Sequence, residues 1–230
     1  MSSRTVRRRT KAPSERVRLR RVHEKAAYDR DAVKAILDEA LVAHVGFAHE
    51  GQPFVIPTLQ ARLGEEVYVH GSSASRTLRA VGATIPVCIT VTLLDGMVFA
   101  RSMFEMSANY RSAVILGEAR AVTEPDEKLR ALRAFSEQVL PGRWEQARPP
   151  SRKELKATAV LALALDEASA KISSGGPDDG ESEDAALDVW AGHIPIRLVA
   201  GEPVPCPHLR PGIPLPDAIA GYQRRLDGAA

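Results

Sequence analysis

The stretch from residue 43 to residue 70 constrains the fold more than any other. Three alternating segments, 43–48, 54–62 and 66–70, are separated only by the turns His49-Glu50-Gly51-Gln52 and Arg62-Leu63-Gly64-Glu65. Strands this close in sequence pair antiparallel, because a parallel pair needs a crossover of a dozen residues or more. Further strands are expected at 86–94, rich in β-branched residues, and at 110–123, alternating around Ala113, Ile115 and Gly117. Asp95-Gly96 reads as a hairpin turn leading into 97–101. Residues 158–164 read as a central strand, and 187–199 holds a last strand with Trp190. Helices are expected at 31–41 and after Glu124-Pro125. The second carries a stripe of Leu129, Leu132, Phe135 and Val139 and stops at Pro141-Gly142. About six antiparallel strands, two to four peripheral helices and no βαβ rhythm predict a mostly β chain folded as a barrel.

The ends differ from this middle. Residues 1–22 are Arg-rich and aperiodic, which predicts a disordered basic tail. Residues 23–200 are read as one domain, 172–186 as a mobile acidic loop within it, and 201–230 as an extended proline-rich tail. The net charge is only +2, and no aromatic residue interleaves the N-terminal charges, so no nucleic-acid partner is expected. No apolar run reaches the roughly 18 residues of a membrane span, and the basic N-terminus lacks the apolar core of a secretory signal. With two cysteines and no disulfide framework, a cytoplasmic chain without a membrane partner is expected. The six histidines form no ligand pair at helical spacing, so no metal site is expected.

The chemistry concentrates in Tyr68-Val69-His70-Gly71-Ser72-Ser73-Ala74-Ser75-Arg76. An apolar strand runs into a hydroxyl-rich loop that ends in arginine before a helix-like segment. Gly71 permits close backbone approach, Ser72 and Ser75 offer donors, and Arg76 brings a permanent charge. Together these make a phosphate cradle, although a Ser-rich turn can also be a plain helix cap. Arg111, in Tyr110-Arg111-Ser112, reads either as a solvated strand end or as a second cation for the same dianion. Pro57, inside Val55-Ile56-Pro57-Thr58, removes a ladder donor in mid-strand. It marks an edge, a bulge, or backbone that faces a flat ligand.

Taken in order, these motifs resemble the pyridoxamine 5′-phosphate oxidase-like flavoproteins, in particular the branch with the nitroimidazole-resistance (Nim-type) and actinobacterial flavin-nucleotide-binding proteins. The resemblance covers roughly residues 20–200. It implies a split β-barrel and a homodimer with FMN in clefts between subunits. It assigns His70, Gly71, Ser72, Ser75 and Arg76 to the flavin phosphate, and Arg111 and Ser112 to a strand that touches the flavin. Val55, Ile56, Pro57 and Thr58 are assigned to backbone facing the ring, and Trp190 to a side chain near it. The implied activity is an FMN-dependent oxidoreductase acting on a small molecule. A Nim-type reductase of nitro compounds and a non-catalytic flavin or heme carrier are the alternatives, and deazaflavin or heme the alternative cofactors. His70 would be the heme ligand. The oxidase carries Trp followed by Arg-x-His, whereas here the last strand reads Arg197-Leu198-Val199, which weighs against vitamin B6 oxidation.

If Arg76 holds a flavin phosphate, Arg76→Ala weakens FMN by about 2–4 kcal/mol and leaves riboflavin, which lacks the phosphate, almost unaffected. Fluorescence titration of both ligands into the apoprotein checks this. Equal loss of both would assign Arg76 to structure.

Overall fold

Two long strands, β5 (Ile85–Phe99) and β6 (Ser107–Ala121), pair antiparallel from Ile85↔Ala119 to Val98↔Ser107. The structure, a computed structural model, describes residues 11–72 and 84–222. Before this pair come β1 (Ala26–Ala27), α1 (Arg30–Glu39), β2 (Val42–His49), β3 (Gln52–Leu63) and β4 (Glu66–Ser72). After it come α2 (Pro125–Val139), α3 (Arg143–Gln146), α4 (Arg152–Ala157), β7 (Thr158–Ala164), β8 (Glu167–Ser173), β9 (Gly192–Pro195) and α5 (Asp217–Ala220). Strands β3-β2-β5-β6-β7-β4 close on themselves as an antiparallel barrel. The outer edges of β5 and β6 each change neighbour part-way. β5 pairs with β2 through Val87–Thr90 and with β9 through Gly96–Phe99. β6 pairs with β8 through Tyr110–Leu116 and with β7 at Arg120 and Ala121. The expected split barrel is therefore present.

Alternation builds the interior. Val45 and Phe47, Val67 and Val69, Val87, Ile89 and Val91, Ala113 and Ile115, and Leu161 and Leu163 all face one core. Helix α1, N-capped by Asp29, covers one end of it with Val33, Ile36 and Leu37. Its C-terminal carbonyls are satisfied by two side-chain amides. Gln60 Nε2 donates to Leu37 O and Ala40 O, and Gln138 Nε2 donates to Asp38 O at 2.7 Å. A second core lies outside the barrel, where Ala131 and Phe135 of α2 pack on Ala61, Tyr68 and Val160. The seam of α2 runs through Ala131 and Phe135, while the expected stripe members Leu129 and Val139 are exposed. A small residue at the contact lets the helix sit close to the sheet.

Several boundaries differ from expectation. Asp95-Gly96 is a register irregularity inside one continuous strand and not a hairpin; the chain reverses at 100–106. Glycine is required there because a Cβ on Gly96 would lie 2.9 Å from Ile194 O of β9. Part of the expected basic tail touches the barrel domain. Val17 is buried, and Leu19 N–H donates to the Tyr28 hydroxyl at 2.9 Å. Strand β8 takes the first two residues of the expected 172–186 loop. The middle of that loop is tied down by Asp179, only 1% exposed, which accepts from Arg101 N at 2.6 Å and from its guanidinium at 2.7 Å. The last strand is only the short β9. Among the described residues no helix is long and apolar enough to cross a membrane.

Charge locks α2 to the barrel. Arg120 NH2 reaches Glu66 at 2.8 Å and Glu127 at 2.6 Å, and both carboxylates approach the Tyr68 hydroxyl. The Arg120 guanidinium holds the Glu127 carboxyl below its ordinary value of 4.5. A depressed carboxylate contributes stability that is present above that ordinary value and lost as pH falls through the folded one. Glu127→Gln should therefore cost about 1 kcal/mol at pH 7 and flatten the loss of thermal stability below pH 4.5. Melting curves from pH 7 to pH 3 check both.

Candidate functional site

The barrel opens between β3 and β4. β3 pairs with the whole of β2 through Gln52 to Leu59, but with β4 only from Gln60 to Leu63. Beyond Val69, β4 continues with β7 alone, so the two strands part. One side-chain bond spans the gap, Thr58 Oγ1 donating to His70 O at 3.1 Å. Val55, Ile56, Pro57 and Thr58 form one lip of the cleft and His70, Gly71 and Ser72 the other. The structure thus brings these seven expected residues together. Ser75 and Arg76, three and four residues after Ser72, lie outside the described residues.

The backbone of the β3 lip faces the opening. Gln60 N–H donates to Leu41 O of the segment before β2, so main-chain groups at 58, 56 and 54 also point to β2. Those of Pro53, Val55, Pro57 and Leu59 point the other way, into the cleft. Two of these four positions are prolines, which have no N–H to leave unpaired at an open edge. The Gln60↔Val69 pairing sets Leu59 O on His70 N–H, so among the described residues the edge offers N–H groups at Val55 and Leu59 and carbonyls at Pro53, Val55 and Pro57, a narrow comb of donors and acceptors for a planar heteroatom edge. Pro57 does mark an edge. The matching Pro53, four residues earlier with the same strand parity, is a second sequence signal of the same edge.

His70 stands on the opposite lip. Its ring lies against Phe135 of α2, with centroids 4.3 Å apart and planes at 51°. Nδ1 is buried with no hydrogen-bond partner, and Nε2 is the nitrogen left accessible. Burial pushes the imidazole pKa down, which keeps the ring neutral at pH 7. Sequence alone does not reveal that Phe135, sixty-five residues away, fixes this ring.

The other expected site residues stand elsewhere. Arg111 lies across β5 from Leu93, with two strands between it and β3. It faces the barrel mouth and binds two carboxylates. Its Nε and one terminal nitrogen donate to Asp95 at 2.9 and 2.8 Å, and both terminal nitrogens donate to Glu39 of α1. Asp95, and after it Glu39, hold the guanidinium pKa above its ordinary range. Arg111 is thus a structural tie between α1, β5 and β6, and it does not stand as a free second cation for a phosphate. Ser112 is partly exposed and reaches Lys171 O. Trp190, 69% exposed, sits beside Phe99 with centroids 6.2 Å apart and does not reach the cleft of its own chain. Among the described residues no cluster of His, Cys, Asp and Glu has the makings of a metal site.

Residues 29–172, which include the barrel and its cleft, match the family model described as pyridoxamine 5′-phosphate oxidase. The chain belongs to the pyridoxamine 5′-phosphate oxidase family. Within this family's fold, it is 44% identical to the flavocytochrome Anf3 from Azotobacter vinelandii, with a TM-score of 0.87 over 93% of this chain and 99% of that one. A protein from Mycobacterium smegmatis named for binding FAD and heme is 39% identical, with a TM-score of 0.81 over 86% and 97%. A Bacteroides thetaiotaomicron protein named for 5-nitroimidazole antibiotic resistance is 20% identical, with a TM-score of 0.55 over 64% and 86%, a likeness of fold alone. No protein of curated function matches the chain.

Removing Arg111 leaves two carboxylates facing each other at the mostly buried barrel mouth. Arg111→Met should therefore destabilise the cofactor-free chain by about 2 kcal/mol, less than the ~3–5 kcal/mol of a fully buried pair. Urea unfolding of the apoprotein measures it, and an unchanged midpoint would return Arg111 to the ligand.

Proposed function

We propose that the chain is a flavin- and heme-binding redox protein that works as a homodimer, with FAD in the β3–β4 cleft. The observation that carries this reading is the pairing in one cleft of an open backbone edge with His70, whose Nδ1 is buried and whose Nε2 is left as the nitrogen a ligand can reach. The two relatives at 44% and 39% identity, a flavocytochrome and an FAD- and heme-binding protein, support the two-cofactor reading over a flavin alone. They also favour FAD over the FMN that the motifs imply.

The residues present fit both groups. The N–H and carbonyl of Val55 and the N–H of Leu59 are placed to read the polar edge of an isoalloxazine ring, which is flat and carries donors and acceptors along one side. Prolines 53 and 57 leave that edge free of competing strand pairing. The accessible Nε2 of a neutral His70 is a suitable iron ligand, and Phe135 fixes the ring plane. When bound, the two groups supply two-electron and one-electron chemistry side by side, while the protein orients them and excludes water. The exposed Trp190 and the many exposed apolar side chains around β9 support a dimer in which a second chain covers them.

Purified protein should show flavin absorbance together with a Soret band. His70→Ala should remove the Soret band, keep the flavin bands, and recover heme absorbance with added imidazole. A Soret band unchanged in that variant would move the iron ligand elsewhere, and its absence from the wild type reconstituted with hemin would leave a flavoprotein only. Mass spectrometry of the released flavin decides between FAD and FMN.

A further inference from the structure

Every residue from 193 to 215 is exposed. Between Leu187 and Leu215 stand eleven large apolar side chains that their own chain does not bury, among them Val204 at 90% exposure. The segment is nonetheless held at both ends. At one end β9 pairs with β5, and Ile196 N–H donates to Asp95 O at 2.9 Å. At the other, Ala218 of α5 and Tyr222 line a cavity with Asp38, Glu137 and Leu140, beside the C-terminal ends of α1 and α2. Seven prolines from Pro195 to Pro216 keep the span extended and poor in N–H groups. A span of this kind loses little conformational entropy when it is laid on a surface, and it does not extend a sheet. It is a strap with none of the described residues beneath it.

The same chain carries an uncovered face of matching character. On the outside of the barrel, Val42 of β2 and Leu59 and Val55 of β3 are exposed, Val55 at 66%, with Pro57 and His44 between them. No element among the described residues packs on this face. It adjoins the cofactor cleft, because Val55 and Pro57 also form the lip.

We infer that the strap, residues 187–216, lies across the outer β2–β3 face of a second copy, which lays its own strap back in return. This rests on the homodimer reading above and specifies which surfaces meet. A two-fold arrangement covers both uncovered surfaces at once, whereas any other partner for the strap leaves the β2–β3 face bare. The size is adequate: eleven side chains with roughly 60–100 Å² each to bury supply about the 800 Å² per partner of a standard stable interface. The strap then forms the outer wall of the partner's cleft, and each site is complete only in the dimer.

The chain carries its own probe, since Cys206 lies exposed in the strap. Two full-length chains with different tags, both carrying Cys88→Ala, are co-expressed. One keeps Cys206, and the other carries Cys206→Ser and Val55→Cys. A short bismaleimide should join the two chains into a covalent heterodimer and should give no covalent dimer from the second chain alone. A third chain with both Cys206 and Val55→Cys separates links between chains from links within one. Sedimentation of each sample supplies the reference. A dimer with no heterodimer cross-link, or with links only within the third chain, overturns the strap and leaves the homodimer standing. A monomer overturns both. Val55 is a surface position, so the cysteine there does not put folding at risk.

Discussion

The continuous pairing of β5 with β6 is the interaction on which the rest depends. Each strand is too long to keep one neighbour on its other edge, so each hands over part-way, β5 from β2 to β9 and β6 from β7 to β8. Those exchanges separate the barrel proper from the outer strands. On the far side of the barrel, β3 and β4 follow different partners, and the cleft opens between them. The site is thus a consequence of how strands are shared around a small barrel, and its lips are rigid because each is paired on its other side.

Polar groups around this frame fall into two kinds. The charges that hold the frame together are neutralised locally: Arg111 by Glu39 and Asp95, Arg120 by Glu66 and Glu127, and Asp179 by Arg101. The C-terminal carbonyls of α1 are likewise met by Gln60 and Gln138. The groups at the cleft are different. The β3 edge from Pro53 to Pro57 and the ring nitrogens of His70 have no partner among the described residues, which is costly unless something else supplies one. Buried Gln60 Oε1 and Glu137 Oε1 also lack partners, but only at the cleft does unmet side-chain capacity stand beside an open backbone edge, the arrangement a ligand can use.

The antiparallel meander, α1, the proline start of α2 and the central strand at 158–164 were legible because periodicity and turn residues act over a few neighbours. The segments Val55–Thr58 and His70–Ser72, which form the two lips of the cleft, stood out for the same reason, since an interrupting proline and a strand running into a small polar loop are local patterns. Asp95-Gly96 misled because the dipeptide that makes a hairpin turn also suits an irregularity where a neighbouring backbone comes within van der Waals contact. Strand β8 was missed because Ala-Ser-Ala-Lys alternates too weakly in hydropathy to stand out from the loop that follows.

By itself, then, the sequence determined the class of fold, the antiparallel meander from 43 to 70 and the residue types at the cleft. Tertiary structure alone decided what each polar group does. Arg111 and His70 both carry the nitrogen donors that a ligand would use. Arg111 is engaged because α1 and the β5 irregularity bring two carboxylates to it from 72 and 16 residues away, whereas His70 is left open because α2 presents it a phenyl ring. Whether a side chain serves the frame or a ligand depends on which distant groups the barrel sets beside it, and local sequence does not encode that.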